Sequence, residues 1–216
     1  MTNSDSNKRL AENWVGIVLT VISIIQGLAF NNLVTRFPKI YAYTLATLDP
    51  KIVMHFVLSF ILLLRVFQTY VTAAIDYNDW TPRFFDIILI FVVGALEYFL
   101  FAALTTPVFD VKSFHLRLIT ISGFGLIGYL NALVDLRNKS SLSEKMISRE
   151  IGLQFVNIMG VIAVMSISGL IIFAAPLTDN SYSILALLAI LMLVFNIIFS
   201  LTTTFPKRRT SKLEPQ

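Results

Sequence analysis

FFDIILIFVVGALEYFLFAALT, residues 84–105, decides what kind of protein this is. Its charges are Asp86 near the start and Glu97 well inside; every other position but the last is apolar or aromatic. At a rise of ~1.5 Å per residue, a helix of this length crosses the ~30 Å hydrocarbon core of a bilayer. Five further stretches read the same way: 14–34, 52–75, 116–136, 151–175 and 182–204. Over the whole chain 56% of residues are hydrophobic and 14% charged, against about a quarter charged in a soluble domain. A water-soluble fold of this composition would expose more apolar surface than a monomer tolerates. The expected fold is all-α, a polytopic membrane bundle of about six transmembrane helices. It divides into a cytosolic segment 1–13, the six-helix domain 14–204 and a basic cytosolic tail 205–216.

The flanks carry start and stop signals. Asp49-Pro50 and Thr81-Pro82 read as N-cap and first-turn pairs. Ser141 and Glu144 have capping-box spacing, ahead of a helix that begins before the fifth span. Pro38, Pro107, Pro176 and Pro206 follow the ends of spans. Stretch 14–34 is too long for a signal-peptide core and reads as an uncleaved first span. Neither end of the sequence shows a lipidation signal.

Lysine and arginine set the orientation. With the N-terminus inside, eleven of the 17 basic residues fall on the inner side, five fall on the outer side, and Arg65 lies within a span. Both termini are therefore expected in the cytosol, in the cytoplasmic membrane. Trp14, Tyr77 and Trp80 on one side, and Tyr41, Tyr43 and Tyr182 on the other, fit aromatic belts. Asn138-Lys139-Ser140 is a glycosylation sequon; a glycan there would reverse this orientation.

Spans beginning at 14, 52 and 84 recur at 116, 151 and 182. An offset of 100 aligns Thr20 with Thr120 and Asn31 with Asn131. Three spans per half is the arithmetic of a 3+3 inverted repeat, an architecture of transporters; chance matching in apolar sequence gives the same two coincidences.

Two charges lie deep in the spans, Arg65 and Glu97, and burying either alone costs at least ~2.5–3.5 kcal/mol. By helical rise Arg65 lies ~20 Å and Glu97 ~11 Å from the outer ends of their helices. A long arginine side chain covers most of that ~9 Å difference, so the two are expected to pair, directly or through Gln68 or water. Such a pair either fixes helix register or belongs to an ion or proton path. Arg65, Gln68, Thr72 and Asp76 follow spacings that put them on one helix face, which should meet protein or water rather than lipid. Softer polar stripes recur: Thr20, Ser23, Gly27 and Asn31 with Gln26 beside them, then Ser122, Gly125, Gly128, Asn131 and Asp135. The fifth span opens with Gln154 and Asn157, and the sixth carries Ala189, Asn196 and Ser200. Close helix packing explains stripes of this type; so does convergence on a hydrated cavity.

His55 and His115 are expected near the outer face. By composition they could hold a haem between them, or a metal with Asp110, but a histidine there is more often a polar tip or a pH-sensitive group; no cofactor and no metal site is assigned. There is no cysteine, no zinc-protease, nucleophile-elbow, phosphate-loop or dinucleotide motif, and no basic face suited to nucleic acid. The chain is not read as an enzyme. A channel or carrier for an ion or small solute is the leading expectation, in a homo-oligomer. Arg65 and Glu97 would gate or couple, and Gln26, Gln68 and Asn131 would line the route. The alternative is a membrane anchor, sensor or depolarising effector of a multi-component system such as stress response or antiviral defence. Loop 137–150 and tail 207–212 would then dock a soluble partner.

Overall fold

A computed structural model describes residues 3–76, 84–104, 109–138, 144–173 and 179–204. All the regular structure among them is α-helical: α1 (Asn3–Val34), α2 (Phe37–Thr47), α3 (Lys51–Asp76), α4 (Phe84–Ala102), α5 (Val111–Asn138), α6 (Glu144–Phe173) and α7 (Asp179–Thr204). Six stretches are long and apolar enough to cross a membrane: Gly16–Thr47, Lys51–Thr72, Phe85–Ala102, Val111–Leu136, Ile147–Phe173 and Ser181–Thr203. They are the six that composition anticipates. The chain is a multi-pass membrane protein in contact with lipid.

One helix goes beyond the sequence reading. After Val34 the chain makes a two-residue turn and starts again as α2, where only a connection was expected. Pro38 permits this because it falls in the first turn of α2, where a backbone N–H has no helical partner to lose. Leu48 ends α2 in the left-handed region, φ 56°, with its N–H on the Thr44 carbonyl at 2.8 Å. Asp49 then starts α3 as expected, its Oδ1 accepting the Lys51 N–H at 3.0 Å. At the other end, α1 begins at Asn3, so the expected leading segment 1–13 is helical from there. The Thr81-Pro82 pair, Ser141, the sequon serine and the tail lie outside the described residues, as do residues 139–143 of loop 137–150, whose remainder belongs to α5 and α6.

The chain forms two compact units, divided within α5 at Arg117 and Leu118. In the first, α1 packs on α3 and α4, and α2 on α3. Its core includes Val18 and Ile22 of α1 with Ile90 of α4, flanked by Leu19, Ile25, Tyr70 and Ile87. In the second, α6 packs on α7. Large apolar side chains such as Leu28, Phe99, Phe155 and Phe195 face outward, while Gln26, Arg65, Glu97, Gln154, Asn157 and Asn196 are buried. That inversion is what lipid as the solvent demands: apolar groups lose nothing outside, and polar groups need partners inside.

Candidate functional site

A buried acid–amide pair lies between α1 and α4. Glu97 is 0% exposed and Gln26 7%. Gln26 Nε2 donates to Glu97 Oε2 at 2.7 Å, the length of a bond to a charged or strongly polarised acceptor. The second oxygens, Gln26 Oε1 and Glu97 Oε1, are buried without a hydrogen-bond partner among the described residues. An orphaned buried acceptor costs about 1–3 kcal/mol, and this bonded pair holds two.

Local packing fixes where the pair meets. Gly94 lies one turn before Glu97, and a Cβ there would collide with Cγ2 of Ile25, the residue before Gln26. The missing side chain at 94 therefore lets α1 and α4 approach, and the approach lays Gln26 against Glu97. Nearer the end of α4, Asn32 Nδ2 donates to the Tyr98 carbonyl at 3.1 Å. The last carbonyls of a helix have no helical donors, and in lipid no water replaces them. Here side chains do: Arg117 Nη1 donates to the Phe99 carbonyl, and Arg36 Nη1 to the carbonyls of Ala102 and Leu104, each at 3.4 Å. The two arginines counted as outer-side charges are thus caps on the end of α4, where positive charge also complements the helix dipole.

The expected Arg65–Glu97 pair does not form. Glu97 takes its hydrogen bond from Gln26, and Arg65, also buried, donates from Nη1 to Gln68 Oε1 at 3.0 Å. Depth is the reason. Counting back from the expected span ends at 34 and 105, Gln26 and Glu97 lie at equal depth, whereas Arg65 lies ~9 Å deeper. The sequence held that match, hidden because an amide draws less notice than an opposite charge. Of the rest of the Arg65 face, Gln68 and Thr72 are half-buried, and the Asp76 side chain lies outside the described residues.

The softer stripes divide. Thr20, Ser23, Gly27 and Asn31 face outward instead of into a shared interior. The hydroxyls of Thr20 and Ser23 are satisfied within α1, by the carbonyls of Gly16 and Leu19 at 2.9 Å each, which is how such residues live on a lipid-facing helix. Gln26, one position off that stripe, is the buried one. In the second unit Gln154, Asn157, Ala189, Asn196 and Ser200 are all buried. Asn196 Nδ2 donates to the Val156 carbonyl at 3.2 Å, and Gly160 gives it room: a Cβ there would sit 2.6 Å from that nitrogen. Asn131 is half-buried in the same unit.

A second buried pair, expected at the interface as separate polar tips, joins α3 to α5. His55 is 1% exposed and His115 0%, and their Nε2 atoms are 3.0 Å apart. His55 Nδ1 lies 2.6 Å from the Lys51 carbonyl, which can only accept. With one proton per ring, His55 Nε2 is then the acceptor and His115 Nε2–H the donor. Phe114 stacks edge-on to both rings and Phe109 to His55. Asp110, the third ligand of the conceivable metal site, has its Oδ1 on the N–H groups of Lys112 and Ser113 as the cap of α5. Among the described residues no three His, Cys, Asp or Glu side chains gather as metal ligands would. What the first unit offers chemically is therefore a buried carboxyl group inside the apolar stretch Phe85–Ala102, with one oxygen uncommitted among the described residues. No family model matches this chain, and neither a curated protein nor a solved structure is similar to it, so the assignment rests on that chemistry.

Proposed function

We propose that this chain is a channel or carrier for an ion or small solute, with the Gln26–Glu97 pair as its working group. The observation behind this reading is Glu97 itself, wholly buried at membrane depth with one carboxyl oxygen uncommitted. An intramembrane ionisable residue is costly, and where one is kept it commonly lies on an ion, proton or substrate path. A carboxyl serving only to pack would gain from a complete set of partners; this one lacks it. Arg65 with Gln68 forms the polar step deeper in α3. The protein would reside in the cytoplasmic membrane with both termini cytosolic, as the lysine and arginine bias implies, and act without catalysing a reaction.

The test is flux. Purified protein in liposomes should move a monovalent ion or small solute measurably above empty vesicles, and Glu97→Leu should abolish most of that flux, with Arg65→Leu reducing it. Flux indifferent to both substitutions would remove these residues from the route.

A further inference from the structure

We infer that the Gln26–Glu97 pair is a reversible proton-binding site, so that the species coupled to movement through this chain is the proton; this rests on the permeation reading above. The two unpartnered oxygens belong to one hydrogen-bonded pair. The pair has one donated hydrogen bond and two acceptors left over among the described residues. A single proton on Glu97 Oε1 turns one of those acceptors into a donor, and the acid O–H can then bond Gln26 Oε1. Amide and acid would form a ring of two hydrogen bonds, with both orphans satisfied and no net charge.

A metal cation fits less well. Hard cations such as calcium take about six to eight oxygen ligands; this pair supplies two uncommitted ones, next to the Ile25–Gly94 contact and the apolar cluster of Val18, Ile22 and Ile90. Of the helices packed on α4, α1 brings no titratable side chain between Gly16 and Val34. From α3 come Arg65, Tyr70 and Asp76, with Lys51 and His55 near its start; α4 itself carries Asp86 and Tyr98, and Arg36 and Arg117 donate to carbonyls at its end. Glu97 has Gln26, not one of these, as its hydrogen-bond partner. The step balances simply: hydronium gives one proton to Oε1 and leaves as water, an O–H bond forms, and release is the reverse. The amide of Gln26 holds the carboxyl in place in both states through the Nε2–H bond.

Infrared difference spectroscopy of the full chain in lipid vesicles tests this without needing flux. A pH step in choline buffer should show the carbonyl stretch of one protonated carboxylic acid, shifted down in heavy water and lost in Glu97→Gln. Gln26→Leu should keep that band and move it to higher frequency, because the acid loses its amide partner. Glu97→Gln keeps the side-chain shape and an acceptor for the Gln26 Nε2–H bond, so its loss of the band would not come from misfolding. No acid band assignable to Glu97 at any pH in the neutral range overturns the inference. So does a carboxylate signal that moves with sodium at fixed pH and ignores the pH step. An acid band in a protein without flux upholds the proton site and overturns the permeation reading instead; flux with no such band does the opposite.

Discussion

Two polar pairs are buried in the first unit, and they are finished differently. His55 and His115 bond to each other at 3.0 Å, His55 spends its other nitrogen on the Lys51 carbonyl, and aromatic rings close around them. Gln26 and Glu97 also bond to each other, at 2.7 Å, yet each retains an oxygen with no hydrogen-bond partner among the described residues. Burial is the same to within a few per cent of surface, so exposure does not separate a fastening from a working group. Completeness of the hydrogen bonding does. A closed pair has nothing to gain from a visitor and serves to hold α3 to α5. An open pair is short by one proton. The largest expected effect follows from breaking the closed one. His55→Ala leaves the His115 N–H without its acceptor and opens a void between Phe109 and Phe114, for a loss of about 2–5 kcal/mol. Removing both histidines should cost less than the sum of the single losses, with a coupling of roughly 0.5–3 kcal/mol. Unfolding by SDS titration of the reconstituted chain measures both. Strict additivity would mean that the two rings do not hold each other.

Next in size is the approach that assembles the open pair. Gly94→Ala places a methyl group where Ile25 Cγ2 now lies. Ile25 is branched and packed into the core, so the clash is relieved by parting α1 from α4 or by an off-rotamer side chain, at about 1–3 kcal/mol. If Gly94 positions the pair, the acid band of Glu97 should shift in this variant while the His55–His115 contact is untouched. A band unmoved by Gly94→Ala would show that Gln26 and Glu97 find each other without that contact.

How much of this was legible in sequence depends on what carries the signal. The six spans were plain, because hydropathy integrates over some twenty residues and tolerates error at any one. Helix ends marked by Asp49 and Pro38 were legible too, since caps act locally. Helix α2 was not. Its apolar residues sit beyond a turn that sequence reads as the end of the span, and only packing on α3 gives FPKIYAYTLAT a reason to coil again. Partner choice was the least legible. Opposite charges drew Arg65 to Glu97 on paper, but a side chain must reach its partner, and depth in the membrane decides reach. Counting residues to the span ends gives Gln26 and Glu97 the same depth. Which way α1 faces, with Gln26 in and Thr20, Ser23, Gly27 and Asn31 out, has no counterpart in composition; it follows from where Ile25 meets Gly94.

A third comparison removes one partner of the open pair at a time. Glu97→Ala leaves the Gln26 amide buried with its N–H unmet, a loss of about 1–3 kcal/mol. Gln26→Leu strands a carboxyl whose proton then has no acceptor, with a loss of similar size. Both should be read in the same SDS titration. If the Gln26–Glu97 bond contributes to the fold, neither substitution can be neutral, and neutrality of both would reduce the pair to a coincidence of packing.

The smallest effect is the sharpest. Glu97→Gln preserves shape and turns the carboxyl oxygen that lacks a partner into an N–H₂ group facing Gln26 Oε1. Two amides can then exchange two hydrogen bonds, as the protonated acid would with the amide. The gain should be about 0.5–1.5 kcal/mol, the net worth of one added bond, and it should be lost in the Gln26→Leu background, where the new donor has nothing to meet. Stability and function then part company. The variant is expected to unfold later than the parent in SDS and to carry less flux, because a permanently closed pair has no proton to release. A Glu97→Gln protein less stable than its parent would mean that the carboxyl group of Glu97 holds the Gln26 amide better than a second amide does, and the distinction between an open and a closed pair would have to be drawn elsewhere.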